Sequence, residues 1–123
     1  KGQRNKSLLA QIGDRQNIIA EQLGNRNSNN ITQIGSEQLA FLYQEGESNT
    51  TLLHQAGHFN KVNIRQQGDR NQVNAYQTGE ANKLSVEQWG DENFVSSTQV
   101  GHGLNAAVIQ RGDYQHAQVV QGY

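Results

Sequence analysis

Asn60-Lys61-Val62-Asn63-Ile64-Arg65-Gln66-Gln67-Gly68-Asp69-Arg70 decides the fold of this chain. Val62 and Ile64 alternate with Lys61, Asn63 and Arg65, and a period of two is the signature of a strand with unlike faces. Gln67-Gly68-Asp69-Arg70 then reads as a turn, because Gly accepts a positive φ at no steric cost. The stretch returns in Asn82-Lys83-Leu84-Ser85-Val86-Glu87-Gln88 and, more loosely, along the whole chain. A strict period of this kind means one small unit stacked repeatedly.

The phase is carried by Gln11, Gln22, Gln33, Gln44, Gln55, Gln66, Gln77, Gln88, Gln99, Gln110 and Gln121, at every multiple of eleven. Two places later stand Gly13, Gly24, Gly35, Gly46, Gly57, Gly68, Gly79, Gly90, Gly101 and Gly112, and only Tyr123 misses the Gly position. The unit is N-x-φ-x-φ-x-Q-x-G-x-x, with φ usually aliphatic. Residues 1–4 form an N-terminal remnant, and 5–123 form a single domain of about eleven strand-turn arcs.

What the inward positions exclude is as informative as what they hold. None carries a charge or an aromatic ring, although 17% of the chain is charged. The aliphatic interior is Leu9, Ile18, Ile31, Leu42, Leu53, Val62, Ile64, Val73, Leu84, Val86, Val95, Val108 and Val119. Lys61, Arg65, Phe41, Tyr43, Tyr76 and Phe94 fall on the other side of their strands. Such segregation predicts a narrow, closed interior.

A second period, of twenty-two, sets the coil. Odd arcs open with Asn5, Asn27, Asn49, Asn71 and Asn93, then Gln115; even arcs open with Gln16, Gln38, Asn60, Asn82 and Leu104. Two arcs therefore make one turn of a flattened coil, giving an all-β solenoid of two facing parallel sheets, about 26 Å tall at the usual strand spacing. Buried amides are costly unless paired. Stacked in register, each can bond the identical amide one coil above and below, as in cross-β ladders. Gln at the arc ends and Asn at the arc starts are thus expected to clamp the aliphatic centre.

Composition alone points to a disordered chain: 33% hydrophobic residues and a mean hydropathy of -0.83. Aliphatic burial falls short of the backbone ordering cost, so backbone and amide ladders must supply the remainder. A monomer that is marginal or disordered until it docks on an existing end is expected. The repeat starts near Lys1 and runs nearly to Tyr123 with no Pro and no capping module. Open parallel edges template further strands, which predicts head-to-tail polymerisation into a cross-β filament.

Other chemistry is not supported by the residues. A net charge of -1 advertises neither nucleic acid nor an anionic membrane, no apolar run can span a bilayer, and the absence of Cys removes disulfides. His58 and His102 share a turn position but lie two coils apart, about 9.6 Å, so no metal and no cofactor are expected. Asp14, Asp69, Asp91 and Asp113 follow Gly directly without the calcium-repeat glycines, and like Arg15, Arg26 and Arg70 read as gatekeepers against aggregation. No G-x-S-x-G elbow or P-loop occurs, so no enzyme is expected. Gly101 and Gly103 read as a loose turn. Leu39, Phe41 and Tyr43 form an outward patch suited to lateral packing or to a partner surface.

The spacing in Gln44-Glu45-Gly46-Glu47-Ser48-Asn49, Gln66-Gln67-Gly68-Asp69-Arg70-Asn71 and Gln77-Thr78-Gly79-Glu80-Ala81-Asn82 resembles the curlin repeat. The resemblance implies a secreted subunit of curli, the functional amyloid of bacterial biofilms, located in an extracellular cell-surface fibre. It implies partners too: other copies of the chain, a nucleator or fibre curlin, and curli-type secretion and chaperone proteins. Residues 36–46 resemble a minor, nucleating repeat. Gln99-Val100-Gly101-His102-Gly103 and the retained Gln of the last arc resemble the major, fibre-forming subunit, which is the expectation, with the nucleator as the alternative. The resemblance sets a secretion-targeting segment ahead of curlin repeats, and residues 1–4 are expected to be a remnant of it. A soluble solenoid that binds a ligand or ice is a further alternative, opposed by the scarcity of outward Thr: Thr32, Thr50 and Thr98.

Overall fold

A computed structural model describes residues 2–122. Lys1, in the expected remnant, and Tyr123, closing the last arc, lie outside the described residues. Eleven strands follow one another: β1 (Lys6–Asp14), β2 (Asn17–Asn25), β3 (Ser28–Ser36), β4 (Leu39–Glu47), β5 (Thr50–His58), β6 (Lys61–Gln67), β7 (Gln72–Glu80), β8 (Lys83–Trp89), β9 (Phe94–His102), β10 (Asn105–Arg111) and β11 (His116–Gly122). The odd-numbered strands pair in chain order into a six-stranded sheet and the even-numbered into a five-stranded one. All pairing is parallel and advances by one coil, as in Gln11↔Gln33 and Gln44↔Gln66. The expected β-solenoid of two facing parallel sheets is what the chain forms.

The strands run further than the sequence pattern suggests. Seven of them span nine residues, passing through the Gly to the residue beyond it. Gly13 pairs with Gly35 and Gly57 with Gly79, so these glycines belong to the ladder and not to a four-residue turn. The reason is geometric. At φ between 102° and 144° in Gly13 through Gly112, the chain bends while its carbonyl still faces the next coil. A Cβ on Gly57 would collide with the carbonyl oxygen of Gly79.

The corner itself is made two residues after the Gly. Arg4, Arg15, Arg26, Glu37, Ser48, Phe59, Arg70, Ala81, Glu92 and Tyr114 all have φ between 53° and 61°. Each left-handed residue costs about 1–2 kcal/mol for an L side chain. Main-chain bonds to the coil below hold it there, for example Phe59 N–H to Ser36 O at 3.1 Å and Ala81 N–H to His58 O at 2.9 Å. Gly103, at φ 62°, occupies the same place. The Gly-His-Gly segment is therefore a regular corner whose strain has been relieved, not a loose turn.

Inside, Ile31, Leu42, Leu53, Val62, Ile64, Val73, Leu84, Val86, Val95 and Val108 are buried in one cluster with Ala40, Ala75 and Ala106. Ile18 and Val119 pack partly buried against it, whereas Leu9 in the first arc is 47% exposed. The two outer faces are unlike. At the four outward positions of each arc (residues 6, 8, 10 and 12 in β1), the odd sheet bears one formal charge, Lys6. The even sheet bears Glu21, Glu45, Lys61, Arg65, Lys83, Glu87 and Arg111.

Candidate functional site: the amide columns

Gln closes each arc because its side chain is long enough to span one coil rise from an inward-facing strand position. Gln33 Nε2 donates to Gln55 Oε1 at 2.8 Å, Gln55 to Gln77 at 3.0 Å, and Gln77 to Gln99 at 2.6 Å. Gln11 and Gln121 extend this column at 3.0 and 2.8 Å. In the even sheet Gln22, Gln44, Gln66, Gln88 and Gln110 are linked the same way, at 2.8 to 3.0 Å. From Gln22 onward each amide also donates to the opposite sheet: Gln66 reaches Thr50 O at 3.2 Å and Gln99 reaches Lys83 O at 3.0 Å. One side chain thus joins coil to coil and sheet to sheet. From Gln33 to Gln99 these amides are fully buried, where unpaired donors would cost about 1–3 kcal/mol each.

The opening Asn behaves differently from the expected like-to-like ladder. Asn49 Oδ1 accepts from the backbone N–H of Asn71, and Asn71 Oδ1 from that of Asn93, both at 3.0 Å. Asn5, Asn27, Asn60, Asn82 and Asn93 bond the next coil in the same way at 2.9 to 3.1 Å. The physical cause is the corner. A left-handed residue immediately before the Asn turns the following N–H inward, and the short side chain one coil below meets it. Nδ2 then donates to a Gly carbonyl, as from Asn49 to Gly68 at 2.7 Å and from Asn60 to Gly79 at 3.1 Å.

Gln in the opening position shows why Asn is preferred there. Gln16 and Gln38 still donate to Gly35 O and Gly57 O at 3.1 Å. The extra methylene carries the oxygen past the backbone N–H, and Gln16 Oε1 is buried without a hydrogen bond. Leu104 lacks the amide, yet its own N–H donates to Asn82 Oδ1 at 3.0 Å. Asn29, inward in β3, is a separate exception: both its amide atoms are buried and unbonded.

Three of the four aspartates bond the main chain. Asp69 Oδ1 accepts from Glu47 N–H at 2.9 Å; Asp91 and Asp113 accept from the N–H of Asp69 and Asp91 at 2.8 Å. These carboxylates take the place of a ladder carbonyl, which is why β6, β8 and β10 end before their Gly. Asp14 lies on the opposite edge, and its carbonyl receives Glu37 N–H at 3.0 Å. The corner cations form axial ion pairs, Arg15–Glu37 at 3.0 Å, Arg26–Glu47 at 3.4 Å and Arg70–Glu92 at 2.7 Å. All are exposed and contribute little individually. The hydrogen bonds that Arg70 donates to the Glu92 carboxylate push its guanidinium pKa above the ordinary value.

Phe41 of the outward patch is 45% exposed, while Arg65 sits 5.4 Å over the Tyr43 ring. Glu45 accepts from Gln67 at 2.8 Å and from the Tyr43 hydroxyl at 2.9 Å; these bonds hold its carboxyl below the usual range and raise the Tyr43 phenol. Among the described residues, no three His, Cys, Asp or Glu side chains are grouped to hold a metal ion. His54 stacks on Tyr76 at 5.1 Å, and His58 Nδ1 lies 2.6 Å from Ser36 Oγ.

The features that sequence reasoning missed are the left-handed corner and the backbone role of Asn. One signal could have found the corner: Gly103 is the glycine of a position otherwise filled by ten residues of six types. In comparisons with known proteins, residues 24–57 match the curlin associated repeat, which here means three complete arcs from turn Gly24 to turn Gly57. No curated protein matched the chain. The unit matched in β3, β4 and β5 continues in one register through all eleven strands, so this chain is similar to the curlin associated repeat over 24–57 and repeats that unit beyond it.

Proposed function

We propose that the chain is a structural subunit of a curli-like extracellular amyloid, self-assembling by stacking coils of one copy on coils of another. The observation that carries this reading is the recurrence of the same coil-to-coil contacts. Gln meets Gln at each step of the closing column, and Asn meets the next corner and Gly meets Gly at most steps. Nothing in such a contact depends on the two coils sharing a chain, so a second copy can continue the ladder in the same register. Parallel, in-register stacking is also the arrangement in which backbone and amide hydrogen bonds are satisfied most completely.

The fibre-forming role is assigned over the nucleating one, on the unbroken Gln column through β11. Export to the cell surface, a contribution to biofilm matrix and adhesion, and curlin, secretion and chaperone partners belong to the same proposal. They are supported by the repeat family. No helix among the described residues is long and apolar enough to cross a membrane. A structural use of the closing Gln amides is supported by the bonds they make to one another and to the opposite sheet.

The test is assembly itself. Freshly desalted protein is followed by thioflavin fluorescence with and without preformed seeds, and seeds are expected to abolish the lag. A persistent monomer with a cooperative thermal transition would sink the polymer in favour of a soluble solenoid module. The fibre-forming role is tested by seeding a nucleator-type curlin preparation with this chain and the reverse.

A further inference from the structure

We propose that the outer face of the odd sheet is the surface by which two filaments of this chain pair laterally, each presenting the same face to the other. The inference rests on the filament reading above and adds the surface that reading leaves open. Its first support is charge. The odd face carries one formal charge per copy, Lys6, at the strand start, where a long side chain can carry its ammonium to the rim, so two such faces meet with little charge to desolvate. The even face carries charges on all five strands, and its Glu45, Tyr43 and Arg65 already satisfy one another within the sheet. Desolvating charges is expensive unless each finds a partner.

Shape is the second support. A shallow groove runs along the odd face from β3 to β9, between the row that contains Asn30 and Asn74 and the row that contains Thr32 and Tyr76. Rows separated by a groove, repeating at every coil, are what interdigitating sheets require. Beside them runs an axial apolar stripe of Ile12, Ile34, Ala56 and Val100, each one coil apart or a multiple of it. Ile12, Ile34 and Val100 are exposed, as are Leu52 and Tyr76 near the groove.

Area sets the conditions for pairing. Six strands at about 4.8 Å and seven residues at about 3.3 Å give a footprint of roughly 670 Å² per copy. Two copies then bury about 1,300 Å², near the lower end of the range for a specific interface. Single copies therefore do not dimerise through this face, whereas filaments do, because each added subunit repeats the contact at high effective concentration.

Lysines placed on each face in turn provide the experiment. Thr32→Lys with Thr98→Lys charges the odd face; Asn63→Lys with Ala107→Lys adds the same charge to the even face. Mass per length by scanning transmission electron microscopy is expected to fall to about half in the odd-face variant and to stay at the wild-type value in the even-face one. Seeded elongation of both should remain within roughly twofold of wild type, as for ordinary surface substitutions. Unchanged mass per length in the odd-face variant, or an equal fall in the even-face variant, overturns the proposal. Wild-type filaments that are always single overturn it while leaving polymerisation intact; wild type that forms no filament removes both.

A second measurement does not depend on elongation of the lysine variants. The chain has no Cys, so Thr98→Cys and Ser85→Cys each introduce one thiol, on the odd and even faces respectively. In wild-type-like filaments, maleimide labelling of Thr98→Cys is expected to be at least about tenfold slower than that of Ser85→Cys. Equal rates overturn the pairing face.

Discussion

The two ends of every arc are closed by amides of nearly the same chemistry that are used in opposite ways. At the closing end, Gln bonds Gln across the coil rise and also donates to the other sheet. At the opening end, Asn bonds a backbone N–H and a Gly carbonyl, and no like side chain. One methylene separates the two residues. The comparison teaches that side-chain length decides whether an inward amide extends a ladder or finishes a corner. The closing end tolerates no gap in the column, because each Gln is at once donor and acceptor. The opening end tolerates Leu104, because the bond it receives uses the main chain.

The Gly carbonyl that receives the Asn amide is the most sensitive point of the opening end. Gly57→Ala forces a Cβ against the carbonyl of Gly79 at a positive φ, a cost of about 3 kcal/mol or more. Elongation on wild-type seeds is expected to stop; normal growth in the thioflavin assay would mean that the glycine column is not closely stacked. Next in size is the closing end. Gln55→Ala with Gln77→Ala removes three consecutive links and leaves Gln33 and Gln99 half-bonded, at about 1–3 kcal/mol per orphaned amide. Elongation should slow far more than in Lys61→Ala with Lys83→Ala, whose side chains are exposed; equal rates argue against load carried by the buried column.

Asn71→Gln sharpens the contrast directly. If length is what matters, the longer residue keeps its donation to Gly90 but loses the Asn93 N–H, repeating the situation of Gln16. The cost is about 1 kcal/mol, read as a several-fold rise in the soluble concentration left at equilibrium. An unchanged soluble concentration would show that Gln serves the corner equally well. The smallest effect is a gain. Ala81→Gly relieves a left-handed corner at φ 56°, worth about 0.5–1 kcal/mol after the greater freedom of the unfolded chain is subtracted. The soluble concentration should fall about two- to fivefold, and a rise would place the strain elsewhere.

The strands, their register and the two-sheet coil were legible because periodicity of two, eleven and twenty-two residues leaves few arrangements of Val62, Ile64, Leu84 and Val86 that bury one side. The closing Gln column was legible for the same reason: identical residues at one spacing stack on themselves. The corner was hidden. A positive φ ordinarily announces itself through Gly, Asn or Asp, but here the bonded coils on either side impose it on Phe59, Ala81 and Tyr114 alike. The Asn bonding was hidden as a consequence, since its partner is an N–H whose direction is set by that corner. The role of Asp69, Asp91 and Asp113 as stand-ins for ladder carbonyls was equally beyond reach, because an acidic residue after Gly reads as a solvated turn until the N–H beneath it is seen.

All ten glutamine links among the described residues, nine in the closing columns and Gln16 to Gln38 at the opening end, run one way, from the nitrogen of the lower-numbered coil to the oxygen of the higher. Their amide dipoles therefore add along the axis instead of cancelling. A stack of such coils is electrically vectorial, like a row of magnets laid head to tail, and its moment grows with every coil. Turning a subunit upside down would set oxygen against oxygen at one end and nitrogen against nitrogen at the other. The side-chain columns thus encode a sense of direction that the parallel backbone ladder, with carbonyls alternating up and down, leaves nearly silent.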